Sequence, residues 1–491
     1  MSKPKRILYI FITFFVYSFF FFIRRKKQGQ SWLFKRLSSL GGIYVKFLQL
    51  LVLNETVSGA NGENFKDFIS IYDQADYEKI DIISTLKKEL EDNCSKINID
   101  SEEPFAAGSF AQVYSGSIEG QPVVVKVLRP NVIKFLHFDL NLLDIVIHLI
   151  SFPQTQDLLD LINIFEDFKK MTLQEINYRN EVNNAIKIAK HLADHPIINI
   201  PKTYVEFCTS TIIVQEKIIG FPLTKLFSEE IEDKILYIQQ NFNTNINFVM
   251  EELAVELLSG SLANSGSHGD PHPGNIYILP NNKIALIDFG IGSVVQKNQP
   301  ELLQLISQYT ALYRGEFNPE KLSQAMVSYF APKLTNSIQT LSTFYGKQDL
   351  VQATLKEIGL SVTKTINDQN GDPTVNSLLE QYRMLKLFTQ VINKNNRFSL
   401  NISFESPEFL RSTQIFMQIT RRLKCDIQLL RRAWERVLVT QTQVSDSIAF
   451  ASYNHESIDN SFHVLAGWFE RLRCSDPGLY NRVSQNWGGI L

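Results

Sequence analysis

An α+β fold in two lobes, a small β-rich one followed by a larger helical one, is what the 491-residue sequence predicts. Three observations predict it. Between Glu102 and Arg129, PFAAGSFAQVYSGSI, EGQP and VVVKVL alternate strand signals with turn signals. A second strand pair is signalled by HGDPHPGNIYIL and KIALIDFG. Most of the remaining chain carries helical periodicity. Composition narrows the class further. With 49 Lys+Arg against 51 Asp+Glu, the net charge of −2 excludes a general nucleic-acid grip. Hydrophobic residues at 44% and charged residues at 20% exclude wholesale disorder. Cys94, Cys208, Cys425 and Cys474 lie far apart without a CxxC, which points to neither a disulfide framework nor a cysteine zinc site.

The first element, within residues 1–30, is an apolar run. Ile7 to Ile23 holds 17 residues without a charge. At about 1.5 Å per residue a helix of that length covers roughly 26 Å, just short of a ~30 Å hydrocarbon core. Lys3, Lys5 and Arg6 precede it, and Arg24, Arg25, Lys26 and Lys27 follow, so basic side chains can snorkel at both ends. A signal peptide would want small residues where RRKKQ stands. A single transmembrane helix at about 7–23 is therefore expected. The heavier basic cluster after it puts the body on the cytoplasmic side, or in an organelle such as the mitochondrion if the chain is eukaryotic.

Residues 31–100 read as a helical extension, broken at Gly41-Gly42 and including the apolar segment Ile43–Leu53. Residues 101–225 read as the β-rich lobe with inserted helices. Strands are expected near Ile200–Phe207 and Thr211–Ile218 (TIIVQEKI). Residues 226–491 read as the helical lobe, with loops at Asn367–Pro373 (NDQNGDP) and Asn393–Arg397 (NKNNR). No repeat of 20–50 residues is visible.

The chemistry starts at Lys126, inside the run Val123–Leu128 that is apolar on both faces. An ammonium in such a strand must be paired or devoted to a ligand, because burying it alone is expensive. Glu181 is the matching acid. Thr172-Leu173-Gln174-Glu175 is a capping-box pattern, so a helix is expected to begin there. On that helix Tyr178, Glu181, Ala185, Ile188 and Leu192 share one stripe. A strand lysine paired with a helix glutamate is the device that aims a lysine at the α/β-phosphates of ATP.

The strongest local signal is His268-Gly269-Asp270-Pro271-His272-Pro273-Gly274-Asn275, followed by Ile287-Asp288-Phe289-Gly290. Phosphoryl transfer from Mg·ATP needs a carboxylate to orient or deprotonate the attacking oxygen, and oxygen ligands for Mg²⁺ beside the phosphates. Asp270 fits the first role; Asn275 and Asp288 fit the second. Taken singly, Asp-Pro and Pro-Gly-Asn are ordinary turn chemistry. Their joint spacing, with Lys126 and Glu181 upstream, is what argues for a nucleotide site. His268 and His272 are not expected to share a metal, since Pro271 and Pro273 forbid the helix that would align them. The expected phosphate loop, Ala106-Ala107-Gly108-Ser109-Phe110-Ala111-Gln112-Val113, holds one glycine, so Cβ groups restrict close backbone approach more than a GxGxxG loop would.

These residues together resemble the UbiB/AarF/ADCK family of atypical, protein-kinase-like kinases. That family shows an alanine-rich loop, a VKVxRP strand, an ExD…E..N helix, HxDPHPGN, DFG and an N-terminal KxGQ signature. Here they appear as AAGS with Gln112-Val113; Lys126-Val127-Leu128-Arg129-Pro130; Glu175-Ile176-Asn177…Glu181…Asn184; HGDPHPGN; Asp288-Phe289-Gly290; and Lys46-Phe47-Leu48-Gln49. The likeness covers about residues 38–295.

The resemblance implies ATP and Mg²⁺ as cofactors, with Lys126 on the phosphates, Glu181 as its partner, Asp270 as the catalytic aspartate, and Asn275 and Asp288 on the metal. It implies a nucleotide-binding set of Ala106, Ala107, Gly108, Ser109, Gln112, Lys126 and Glu216. It also implies a regulatory set in which Lys46 and Gln49 meet Glu175 and Asn177 over the site. Partners implied are a membrane and isoprenoid lipids or lipid-biosynthesis proteins, in ubiquinone-type metabolism. Three positions depart from the pattern: Leu48 replaces a glycine, Asn177 replaces the second acid of ExD, and Gly108 replaces the third alanine. Two other readings stay open, a small-molecule phosphotransferase of the aminoglycoside or choline kinase class and an ATP-binding scaffold without turnover.

Overall fold

The computed structural model describes residues 78–108, 110–150, 165–166, 168–170, 172–228, 233–263, 265–295, 299–313, 318–347, 349–354, 356–358, 407–426, 428–445 and 458–488, with 5–10, 12–13, 36, 43–44, 47, 231 and 316. The chain forms two compact units. The first comprises residues 1–233 and 273–292, the second residues 234–272 and 293–491. Residues 273–292, read from sequence as part of the helical lobe, cluster with the first unit because their strands join one of its sheets.

The first unit is built on an antiparallel sheet of β1 (Ile97–Ile99), β2 (Ala106–Ala107), β3 (Ala111–Ile118), β4 (Gln121–Leu128) and, after β5 (Ile198–Asn199), β6 (Ile212–Glu216). The order is β1-β3-β4-β6, with β2 beside β3. Glu119 and Gly120 join β3 to β4 with φ of 50° and 79°, the positive pair that a two-residue hairpin of right-handed twist requires. Val123, Val125 and Val127 lie in one apolar cluster with Tyr114 and Ile118, covered by Ile82, Leu86 and Leu90 of α1 (Ile82–Leu90). Lys126 is thus half-buried on the opposite face, and the strand is packed on both sides, as its apolar run suggests. That second face carries Ala111, Leu128 and Ile213, packed with α2 (Pro130–Ile150) and α3 (Tyr178–His191) through Leu136, Leu140, Leu143, Tyr178 and Val182.

Three local expectations are corrected here. Ile97–Ile99 is a strand rather than helix, because it pairs with β3. Residues 200–207 are not a strand: Thr203 makes an isolated bridge to Gln215 and Val205–Phe207 is a 3₁₀ turn. The helix bearing Glu181 begins at Tyr178, separated by Ile176 and Asn177 from the helical turn at 172–175.

A second sheet of the first unit runs β5, β9 (Lys283–Leu286), β8 (Ile276–Leu279), β7 (Phe221–Pro222). Strands β8 and β9 form a hairpin whose loop contains Asn281 and Asn282 at φ of 62° and 59°, a region asparagine tolerates.

Residues 5–10 and 12–13 are helical, with Ile10 and Thr13 buried and Arg6 ion-paired to Asp139 at 2.8 Å. Tyr44 donates to the same carboxylate at 3.1 Å. Ile7, Leu8 and Ile12 are exposed. The greater part of the expected transmembrane helix lies outside the described residues, and among the described residues no helix is long and apolar enough to cross a membrane.

In the second unit, α4 (Lys234–Phe242) precedes α5 (Ile246–Leu262), whose first turn is capped by Asn245 accepting from the Phe248 amide at 3.2 Å. Its described residues continue with α6 (Gln299–Tyr313), α7 (Pro319–Phe330), α8 (Pro332–Phe344), α9 (Pro407–Arg422), α10 (Leu429–Ser445), α11 (Ile458–Ser475) and α12 (Pro477–Asn486). Both α9 and α10 pack on α5. A hydroxyl cluster ties the end of α5 to the chain before the HGDPHPGN loop: Ser261 Oγ lies 2.7 Å from Ser267 Oγ and 2.9 Å from Ser293 Oγ.

Candidate active site

Strand β4 and helix α3 bring Lys126 and Glu181 together. The Lys126 ammonium lies 2.9 Å and 3.1 Å from the two Glu181 carboxylate oxygens and 3.0 Å from Asp288 Oδ2. The Tyr178 ring lies beneath it, 5.4 Å from the nitrogen. Burial disfavours the charge on Lys126, but the Asp288 and Glu181 carboxylates outweigh it and hold the ammonium well above its ordinary pKa. Burial pushes Glu181 up to about 7 against the opposing pull of Lys126. One cation is thus shared by two carboxylates.

The β8–β9 hairpin sets Asn275 beside Asp288. Its register pairs Leu286 with Ile276, and the next rung is the Ile287 amide donating to the Asn275 carbonyl at 3.0 Å. Asp288 holds a φ of 64°, an uncommon conformation for a residue with a side chain. Asn184, one turn beyond Glu181 on α3, donates to the Phe289 carbonyl at 3.0 Å and so ties α3 to the Asp288-Phe289-Gly290 segment. Glu175 packs against the same segment, its Cγ 3.5 Å from where a Cβ on Gly290 would stand. An amide and a carboxylate are the oxygen donors a hard divalent cation takes, so Asn275 and Asp288 are the residues that could hold Mg²⁺.

Asp270 belongs to the second unit. Its own amide donates to His268 Nδ1 at 3.1 Å, so His268 shapes the loop. Its Oδ2 lies 3.0 Å from Arg411 Nη2 on α9. The adjacent Ser412 hydroxyl donates to the His268 carbonyl at 3.0 Å.

The ABC1 atypical kinase-like domain matches residues 70–316, half of the chain, and that range contains every one of these motifs except Arg411 and Ser412. The chain belongs to the ABC1 family of atypical kinases. An aarF domain-containing protein kinase of the Arabidopsis thaliana chloroplast is 24% identical over 412 residues, 81% of this chain and 72% of that one. The "Probable protein kinase UbiB" of Sodalis glossinidius is 28% identical over 224 residues, and the chain spans 39% of its length. Among solved structures, the complex of Rv3197 with erythromycin from Mycobacterium tuberculosis covers 84% of this chain and 97% of its own, at 17% identity and a TM-score of 0.49. The fold is a mixed α+β one, mostly helical, and membership of a kinase-like family implies ATP binding.

Within the ABC1 framework the expected nucleotide set divides. Ala106 pairs with Val113 and Val113 with Lys126, so these share a sheet face. Gln112 pairs with Val127 and faces the other way: its Oε1 accepts from the Glu78 amide at 2.7 Å and its Nε2 donates to the Tyr114 hydroxyl at 3.1 Å. Ala107 pairs with Gln112 on that side. Glu216 pairs with Val123 and accepts from the Lys202 amide at 3.1 Å, so its side chain also sits on the face opposite Lys126. The strict alternation of a strand decides this, and motif lettering does not carry it. Gly108 is exposed, and Ser109 lies outside the described residues.

Of the regulatory set, Asn177 is exposed just before α3, and Lys46 and Gln49 lie outside the described residues. Their neighbour Phe47 is buried against Phe165 and Phe168, with ring centroids 5.9 Å and 5.1 Å away. Arg411 and Ser412 escaped the sequence reading altogether. They stand 141 and 144 residues from their partners, and no local pattern marks them.

Proposed function

We propose that this ABC1 chain binds Mg·ATP and acts on its γ-phosphoryl group as an atypical kinase or ATPase of the UbiB type. The observation that supports it most is the Lys126 ammonium held between Glu181 and Asp288 at 2.9–3.1 Å. A lysine fixed in this way presents one positive charge where α/β-phosphates lie, and Asn275 and Asp288 would hold the cation. Bound Mg²⁺ supplies charge neutralisation on the phosphate oxygens. Asp270 orients the attacking hydroxyl or water by accepting its hydrogen bond. The process is proposed as support of ubiquinone or other isoprenoid-lipid metabolism at a membrane, reached through the uncharged run Ile7–Ile23 and its basic flanks.

The test of the chemistry is Mg-dependent ATP hydrolysis by the full chain in detergent, with and without isoprenoid quinone. Asp288→Asn and Lys126→Met are expected to abolish it, and turnover surviving in Asp288→Asn refutes the metal role. The test of the process is isoprenoid-quinone content in cells lacking the chain. Restoration by the wild type but not by Asp270→Asn supports the proposal; unchanged content on removal refutes it.

A further inference from the structure

Helix α9 holds the HGD segment at two points. Arg411 Nη2 meets Asp270 Oδ2 at 3.0 Å, with the two side chains 13% and 9% exposed. One residue on, the buried Ser412 hydroxyl donates to the carbonyl of His268, itself buried. His268 in turn accepts from the Asp270 amide. Both ends of His268-Gly269-Asp270 are thus registered by a helix outside the family match, which ends at residue 316. A mostly buried ion pair is an expensive way to join a loop to a helix, since apolar residues of similar volume serve stability as well or better. Here the cation is placed against the one carboxylate in this unit that the proposed chemistry requires. A guanidinium at that distance is a charge-assisted partner that limits the rotation of the carboxylate.

We propose that Arg411 is a positioning residue for phosphoryl transfer, holding the Asp270 carboxylate in orientation, with Ser412 fixing the loop that carries it. This rests on the reading of Asp270 as the catalytic aspartate. A guanidinium-bound carboxylate is a weak base and a good hydrogen-bond acceptor. It therefore suits orienting the attacking oxygen, with proton transfer late in the step.

The experiment compares wild type, Arg411→Met, Arg411→Lys and Asp270→Asn as full-length proteins, measuring Mg·ATP turnover, KM for Mg·ATP and thermal midpoint. Loss of a hydrogen bond to a charged group predicts a fall in kcat of about 10- to 100-fold in Arg411→Met, with KM changed by less than about twofold. Arg411→Lys keeps the charge without the planar fork, so it is expected to fold and to recover most, though not all, of kcat. A purely structural role would lower the midpoint without this split and without rescue by lysine. If Arg411→Met fails to fold, the lysine variant alone decides: kcat below wild type at unchanged KM supports the role, and wild-type kinetics overturn it. Faster turnover in either variant would make the ion pair a latch on Asp270 and also overturn it. Asp270→Asn separates the two levels. If it is inactive while both Arg411 variants behave as wild type, the positioning role alone fails. If it retains turnover, or if the wild type has none, the reading of Asp270 fails and this inference with it.

Discussion

Lys126 and Asp288 stand 162 residues apart in the chain and 3.0 Å apart in the folded unit, with Glu181 completing a three-group site of one cation and two carboxylates. The asymmetry between these carboxylates has a stability consequence. Glu181 is buried and already titrates at about 7 beside its cation. Removing the cation raises it further, above the ordinary 4.5 of an unfolded glutamate. A carboxyl with a raised folded-state pKa costs nothing below its unfolded value and progressively more as pH rises through the window between the two.

Lys126→Met is therefore expected to destabilise the first unit in a pH-dependent way. The loss should approach the roughly 3–5 kcal/mol of a broken buried pair near pH 8.5 and shrink towards pH 5.5, where Glu181 takes up a proton. Thermal midpoints of variant and wild type at pH 5.5, 7 and 8.5 read this directly. A constant gap across that range would show that Glu181 does not carry the proton.

Asn184 connects the same helix to the Asp288 segment by its bond to the Phe289 carbonyl. Asn184→Ala leaves that buried carbonyl without this donor, at a cost of about 1–3 kcal/mol. The release of Asp288 from a left-handed φ should lower Mg·ATP turnover by more than the stability loss explains. Turnover and urea midpoint measured together check it; a variant that loses stability but keeps wild-type turnover removes Asn184 from the site.

The legibility of this site follows the range of each interaction. Strand and turn signals around residues 102–129 locate the β3–β4 hairpin, because EG can adopt two positive φ angles. Lys126 and Glu181 could be named because an apolar run holding one ammonium, and a helix stripe holding one carboxylate, both demand partners; Asp288 could be named because it follows HGDPHPGN at the end of the apolar run IALI. Side-chain direction was harder to read. Gln112 and Glu216 fall one residue out of phase with Lys126, and only the ladder register shows it. Arg411 was illegible, since nothing near α9 in sequence announces that its partner is a loop carboxylate.

Gly108 can be tested without structural side effects. A Cβ there meets nothing within 4 Å and its φ is not among the positive ones. Gly108→Ala should leave stability unchanged or raise it by about 0.4–1 kcal/mol through the unfolded chain. Any change in ATP affinity or nucleotide preference then reports on the loop's approach to phosphate. Titration of ATP, ADP and GTP by calorimetry is the measurement, and identical affinities in both proteins would show that this departure from the alanine pattern has no bearing on the nucleotide.

Glu256 on α5 offers the cleanest linkage experiment in the second unit. Burial alone pushes its carboxyl up to about 8 from 4.5. Gly260, one turn on, leaves room for that carboxyl, since a Cβ there would come within 2.5 Å of its Oε1. Between pH 4.5 and 8 the folded state binds this proton more tightly than the unfolded chain does. Stability attributable to Glu256 is therefore highest below 4.5 and falls by at most about 1.4 kcal/mol per pH unit as pH rises through that window. Glu256→Gln keeps the shape of the protonated form and cannot ionise. It should match the wild type near pH 4.5, become progressively more stable than it up to pH 8, and run parallel above. Urea unfolding of both proteins from pH 4.5 to 9 decides the matter, and curves that stay parallel throughout would mean that Glu256 ionises in the fold as freely as in water.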